Sequence, residues 1–335
     1  MGFAVMLPVL YAKIAGTLAQ ERPDVIHCTH LSLLPLCLVL ARAKKAKVVY
    51  DAYEMHAVDW AEYVPIGRSA VRRLIEGIED WLVRRVDLVL TIDSVGGFLE
   101  GRYRRANSNV TVLYNVPKKD VVLSGERIRF LQERYQDTDL VVYVGGAYEA
   151  KGLLVALEAL RLVREKMARV KLIIIGKIDD SKGKAEKLLQ TTDLRAHVEV
   201  IPWLPYDEMM HYLHVARVGL ALHQPTGRFL LVSRGNGRKF FAYMQAGLPI
   251  VGPAFGEIGR VVREEGCGVL VDTTDPYQVA EAVLDLLRHP EKAREMGERG
   301  RRAIQEKYNW EKEQEKLLRA YRALFEDGRW RSGCS

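Results

Sequence analysis

Short apolar runs rich in Val, Ile and Leu alternate along the chain with longer segments whose apolar residues recur every three to four positions. Runs of the first kind predict strands buried on both faces, and segments of the second kind predict helices laid against them. The strands expected in the first part are 24–29, 47–51, 87–92 and 110–115, with helices near 33–43, 70–85 and 94–105. A polar, irregular stretch over 116–138 follows, and the alternation then restarts. Strands are expected at 140–145, 171–176, 197–201, 218–222, 248–252 and 268–272, and three helices near 276–287, 291–308 and 310–325 close the chain. Such alternation implies an α/β fold of parallel sheets with helices on both faces.

Two Rossmann-like doubly wound sheets in tandem fit this order, with the first incomplete because four strands precede the break and six follow it. The domains expected are 1–120, 121–310 and a closing helix over 311–335 that crosses back to the first. Two such sheets facing across a cleft place a ligand outside the carboxyl ends of the strands, with the break acting as a hinge. In the helix over 70–85, Leu74, Ile78, Trp81 and Leu82 share one side and are expected to face the core. That leaves Arg72, Arg73, Arg84 and Arg85 in solvent, with a phosphate or membrane role as the lesser alternative. Residues 1–20 are apolar but interrupted by Pro8, Lys13 and Gly16. An amphipathic helix, core-facing or membrane-apposed, fits them better than a signal peptide or a span.

Candidate chemistry concentrates at 141–152, where a strand runs into Gly145 and Gly146, then Lys151 and Gly152, then a helix carrying Leu153, Ala156, Leu157, Leu160 and Val163. A strand, a glycine turn and a helix N-terminus present backbone N–H groups and a positive dipole end to an anion. A lysine at the mouth adds a mobile point charge suited to phosphate. The net charge of +7 is compatible with an anionic partner, but it is spread over both halves. Dedicated nucleic-acid binding is therefore disfavoured, and phosphate-bearing small molecules or an anionic membrane surface fit better. Cys28, Cys37, Cys267 and Cys334 form no CxxC and have no His at zinc-like spacing, which reads as reduced thiols in a cytoplasmic protein, with the inner face of the membrane as a further possibility.

Over nearly its whole length the chain resembles the retaining glycosyltransferases of family 4, of the GT-B fold. The likeness is carried by Asp24-Val25-Ile26-His27, by Val48-Val49-Tyr50-Asp51-Ala52-Tyr53-Glu54, and by the loop from Gly145 to Lys151-Gly152. Pro202-Trp203-Leu204-Pro205 continues it. The strongest match is Lys239-Phe240-Phe241-Ala242-Tyr243-Met244-Gln245-Ala246-Gly247-Leu248-Pro249, followed by Gly256-Glu257-Ile258 and the closing Tyr308-Asn309-Trp310. The resemblance implies sugar transfer from a nucleoside-diphosphate sugar to a glycan or lipid-linked acceptor, with retention and without a metal or other cofactor. It implies that the second domain binds the donor and the first the acceptor. Lys151 would serve the diphosphate, Gly145 and Gly146 would let the backbone approach it, and Leu204 would offer main-chain contacts to the base. Lys239 and Tyr243 would lie on a donor-facing helix side.

Four departures accompany the resemblance. Gly146 stands where the family carries an arginine, leaving Lys151. The family's ribose-holding glutamate falls at Ala242 and its upstream partner at Arg234, with Asn236 or Glu257 as candidate substitutes. The family's acceptor-side histidine falls at Tyr53, with His30 and His56 close in sequence. The chain also begins where a family member would already have passed its first strands, so strand 24–29 is expected at an edge. A native start upstream, a second chain completing the sheet, or residues 1–20 covering the gap would each answer that liability. The alternative to an enzyme is a non-catalytic nucleotide-sugar-binding or scaffolding subunit.

Overall fold

The computed structural model describes residues 2–64, 66–92, 97–180, 182–226 and 237–325. The chain divides into two compact units, Met1–Tyr114 with Glu313–Ser335, and Asn115–Lys312.

In the first unit α1 (Gly2–Gln20), β1 (Val25–Cys28), α2 (Leu34–Lys44), β2 (Lys47–Ala52), α3 (His56–Glu62), α4 (Arg68–Val83), β3 (Leu88–Thr91), α5 (Phe98–Ala106) and β4 (Val110–Val112) follow one another. The strands form a parallel sheet in the order β1-β2-β3-β4. β1 is therefore an edge strand, as its place in the sequence suggests. Helix α1 contributes no strand to it and is joined to the unit by Tyr11 Oη donating to the Ser32 carbonyl and by Lys44 Nζ donating to the Ala19 carbonyl at 2.6 Å. Its apolar residues lie all round the helix, and Val9 and Leu10 are exposed, so it is not the one-faced amphipath expected.

In the second unit α6 (Gly125–Arg134), β5 (Asp139–Val144), α7 (Leu153–Lys166), β6 (Val170–Ile175), α8 (Lys184–Thr191), β7 (Val198–Ile201), α9 (Tyr206–Val215), β8 (Val218–Leu220), α10 (Gly237–Ala246), β9 (Ile250–Pro253), α11 (Gly256–Glu265), β10 (Gly268–Val271), α12 (Pro276–Arg288) and α13 (Pro290–Glu306) build a parallel sheet of order β10-β9-β8-β5-β6-β7 with flanking helices. Leu153, Ala156, Leu157, Leu160 and Val163 of α7 pack on Val141, Tyr143, Leu172 and Ile174 of the sheet, and Val279 and Val283 of α12 close the same cluster. The last helix, α14 (Trp310–Ala323), passes at Glu313 into the first unit. There Ala320 and Leu324 bury against Val49, Leu88 and Leu90, and the buried Glu313 carboxylate accepts from the Tyr114 N–H at 3.0 Å.

Two sequence expectations are corrected. The stretch 116–138 is not irregular throughout: α6 occupies it, capped by Ser124 Oγ, which accepts from the Arg127 N–H at 3.3 Å. Its apolar content is small, but Leu131 is fully buried and holds the helix down. The inward face of α4 is also only partly the one expected: Leu82 is buried and Arg73, Arg84 and Arg85 are exposed, but the other three apolar residues face solvent. Leu74, Ile78 and Trp81 are 65%, 49% and 51% exposed, whereas Glu79 is buried. The Glu79 carboxylate accepts from Tyr50 Oη at 2.8 Å and Tyr103 Oη at 2.9 Å and pairs with Arg102 at 2.7 Å, while Arg102 also pairs with Asp80 at 2.7 Å. A carboxylate with three strong partners overrides the aliphatic stripe in choosing which face turns inward. No helix among the described residues is long and apolar enough to cross a membrane.

Candidate active site

The sheet of the second unit reverses direction between β5 and β8: from β5 the chain steps outward through β6 and β7, then returns to β8 on the other side of β5. A reversal of this kind leaves a crevice outside the carboxyl ends of the two strands. Val141, Val142 and Tyr143 pair in register with Val218, Gly219 and Leu220. At the next residue a side chain takes over. The Val144 N–H donates to Tyr243 Oη at 2.9 Å, and that hydroxyl donates to the Leu220 carbonyl at 3.1 Å. Tyr243 reaches this point from α10, is fully buried, and has its phenol pKa raised by burial, so it stays a donor. Its hydroxyl satisfies both strands where their ladder ends.

The loop after β5 is shaped by two glycines. Gly145 has φ +102°, a region L side chains rarely adopt, and its N–H donates to the Ile175 carbonyl at 2.8 Å. The Gly146 N–H has no backbone partner among the described residues. A 3-10 turn over Glu149–Lys151 then delivers Gly152, at φ +79°, where an added Cβ would lie 2.2 Å from the Leu222 carbonyl oxygen. This close approach fastens the loop to the segment after β8. The Gln224 N–H donates to the Ala150 carbonyl at 3.0 Å, Gln224 Nε2 donates to the Thr273 carbonyl at 2.6 Å, and Thr273 Oγ1 donates to the His223 carbonyl at 2.6 Å. Beneath the loop Tyr143 Oη donates to the Lys151 carbonyl at 3.0 Å.

Two lysines meet here. Lys151 Nζ lies 4.9 Å from the centre of the Tyr148 ring. Lys239 Nζ lies 4.1 Å from the centre of the Tyr143 ring, is buried, and has no hydrogen-bond partner among the described residues. Burial, reinforced by repulsion from the Lys151 ammonium, holds the Lys239 pKa well below the ordinary lysine value. A cationic group kept without an anion is unusual, because buried charges are normally paired.

The structure thus brings Gly145, Gly146, Lys151, Lys239 and Tyr243 together at one crevice, with Tyr243 in its floor. Leu204 is half-buried in the loop after β7, and its main chain is unpaired with other backbone among the described residues. Glu257 is buried in the first turn of α11, where Arg260 of the next turn pairs with it. Asn236 and Arg234 lie outside the described residues. His223, Gln224 and Thr273 escaped the sequence reading; a polar pair directly after the strand at the sheet reversal was the available signal. A separate depression of about 290 Å³ borders the loop at Tyr148, Asp179 and Asp180, but its Lys182 and Lys184 pair with Glu149 at 3.2 and 2.9 Å.

His30 and Tyr53 belong to the first unit, after β1 and β2. Tyr53 is exposed. His30 Nδ1 lies 2.8 Å from Ser32 Oγ and 3.3 Å from the Ser32 N–H, so the ring is held against its own turn. Its ring packs 4.3 Å from that of the buried His56, and Trp60 stacks at 5.3 Å from His56. His56 was named in the sequence as a neighbour of Tyr53; Trp60 was not. Among the described residues no group of three or more His, Cys, Asp or Glu side chains is placed to hold a metal ion.

The family model of the glycosyl transferases group 1 matches residues 124–303, and that of the glycosyl transferase 4-like domain matches residues 3–115. The chain is 24% identical over 315 residues to a glycogen synthase of Mycobacterium tuberculosis (strain CDC 1551 / Oshkosh), covering 93% of this chain and 71% of that protein. It is 24% identical over 289 residues to the GDP-mannose-dependent alpha-(1-6)-phosphatidylinositol monomannoside mannosyltransferase of the same organism, covering 83% of this chain and 70% of that one. Among solved structures, Anabaena HepE in complex with UDP-glucose superposes with a TM-score of 0.74 at 14% identity, covering 94% of this chain and 82% of that one. With the two-sheet GT-B architecture and both domain matches in place, the chain belongs to the glycosyl transferases group 1 and is a glycosyltransferase.

Proposed function

We propose that the protein moves a hexosyl group from a nucleoside-diphosphate sugar to a glycan or lipid-linked acceptor, with retention of anomeric configuration and without a metal or other cofactor. The observation that carries this reading is the buried Lys239 amine, without a hydrogen-bond partner among the described residues and close to Lys151, at the crevice where the sheet order reverses. A diphosphate suits two adjacent lysines and a Gly146 N–H that has no backbone partner among the described residues. As the bond from the sugar to the diphosphate breaks, negative charge grows on the departing oxygen. Lys151 and Lys239 stabilise it from fixed positions, so little reorganisation accompanies the step. The Leu204 main chain offers donors and acceptors to the base. In the first unit the exposed Tyr53 and the His30 imidazole position the acceptor hydroxyl. The names of the relatives support a nucleotide-sugar donor, one being GDP-mannose-dependent and a structural neighbour holding UDP-glucose. The setting is the cytoplasm, where such donors are made.

A second reading, a non-catalytic nucleotide-sugar-binding subunit, is favoured by Ala242, which is fully buried where the resemblance expects a ribose-holding glutamate. Titration calorimetry with UDP-, GDP- and ADP-sugars separates the readings when followed by nucleotide release in the presence of candidate acceptors. Binding lost in Lys151→Ala, together with turnover, supports transfer; binding without turnover supports the subunit; no binding of any nucleotide defeats both. Product NMR reads the anomeric outcome, and turnover in EDTA reads the metal requirement.

A further inference from the structure

Helix α4 buries Leu82 and Val83 together with Glu79, but turns Leu74, Ile78 and Trp81 to solvent. The exposed stripe begins at Ile66 in the preceding turn and continues through Ala70, Arg73, Leu74, Gly77, Ile78, Trp81, Arg84 and Arg85. This spacing of three and four residues keeps every member on one side of the helix. The carboxylates of α4 lie elsewhere: Glu79 is buried, Asp80 pairs with Arg102, and Glu76 pairs with Arg72 at 2.8 Å. No acidic side chain therefore stands on the stripe. Arg73, Arg84 and Arg85 have no ion-pair partner among the described residues; the Arg73 Nε donates to the Ser69 carbonyl at 3.2 Å, and the Arg85 guanidinium lies 3.7 Å over the Trp81 ring while donating to the Trp81 carbonyl. Tyr63, ahead of the helix, is exposed as well.

We propose that this face of α4 is a docking surface for an anionic lipid bilayer. Two features select that occupant. A helix in the interfacial plane needs an aliphatic and aromatic face, bordered by cations that reach the headgroups. Leu74, Ile78 and Trp81 provide the first, and Arg73, Arg84 and Arg85 the second. Indole and guanidinium stacked together suit the headgroup level, where one side is apolar and the other wet and negative. Charge complementarity favours lipid phosphate over a second copy of this chain, since two copies of the stripe would bring like charges together. The inward turning of Glu79 and Asp80 removes the acidic groups that an anionic bilayer would repel.

The test is cosedimentation of the full chain with vesicles of phosphatidylcholine alone and of phosphatidylcholine with phosphatidylglycerol in equal parts. Binding is expected to the second and not the first, weakening as salt rises. Arg84→Gln with Arg85→Gln should reduce partitioning by about 25-fold, from a contribution of roughly fivefold per cation. Ile78→Ser with Trp81→Ser should reduce it about tenfold or more through the lost apolar contact. Nucleotide affinity of both double variants, whose substitutions lie in the first unit and outside the donor crevice, checks that the chain is folded. The proposal fails if the anionic vesicles do not pull the chain down, if both vesicle types bind it equally, or if the substitutions leave partitioning unchanged. It also fails if sedimentation velocity shows a dimer that Trp81→Ser dissociates, because the stripe would then join copies of the chain.

Discussion

Glu79 in the first unit and Lys239 in the second are both ionisable, both on helices and both buried, yet their surroundings are opposite. Glu79 is met by Tyr50, Tyr103 and Arg102, so every favourable interaction of its charge is made within the protein. Lys239 is met by the face of an aromatic ring and by another cation, and its charge is left unanswered. A buried charge with its partners present is part of the scaffold. One without them marks where a ligand of opposite sign belongs.

Breaking the scaffold charge has the largest expected effect. Glu79→Ala leaves Arg102 only Asp80 as an ion-pair partner, strands two buried hydroxyls, and should cost about 3–5 kcal/mol of stability in urea unfolding. A cost near zero would mean that the network does not fix the face of α4. Leu157→Ala in α7, whose aliphatic face is fully packed, should cost about 2–5 kcal/mol by the same measurement. Tyr243→Phe leaves the Val144 N–H and Leu220 carbonyl unsatisfied and should cost about 1–3 kcal/mol, with weaker nucleotide binding as the strand ends shift.

Lys239→Met should act in the opposite direction on stability. Because the folded-state pKa is depressed, the unfolded chain holds a proton that the folded chain lacks between that depressed value and the ordinary lysine value. Stability of the parent therefore rises with pH across this window and is lowest below it. The methionine variant should be the more stable at low pH, with that part of the pH slope removed, and should bind nucleotide diphosphate at least about tenfold more weakly through the lost charge-assisted contact. Donor affinity of the parent should fall as pH rises through the same window, since the incoming diphosphate favours the protonated amine. Equal pH slopes in parent and variant would show that Lys239 is not the group concerned. The smallest effect is expected from Ile78→Ser, within about 0.5 kcal/mol, because the side chain already faces solvent.

Much of the fold could be read from the chain. Alternating strand and helix periods located all ten strands to within a few residues, because parallel strands buried on both faces leave unbroken apolar runs. The glycine turn with Lys151 was equally visible, since a positive φ and a close approach leave few residue choices. Period alone failed where a few polar contacts outweighed many aliphatic ones. In α4 the stripe of Leu74, Ile78 and Trp81 has the right spacing for a core face, but the partners of Glu79 come from β2 and α5 and cannot be seen locally. Helix α6 escaped because its packing rests chiefly on Leu131.

The sequence by itself determined the strand and helix order, the place of the glycine turn with Lys151 and the family. Each depends on residues close together in the chain and on conformational limits that act locally. Only the tertiary structure decided that Tyr243 joins two strand ends, that Lys239 lies buried beside Lys151, and that α4 turns Leu74, Ile78 and Trp81 outward while burying Glu79. Those outcomes depend on which distant groups arrive as partners, and burial gives such partners far more weight than water would.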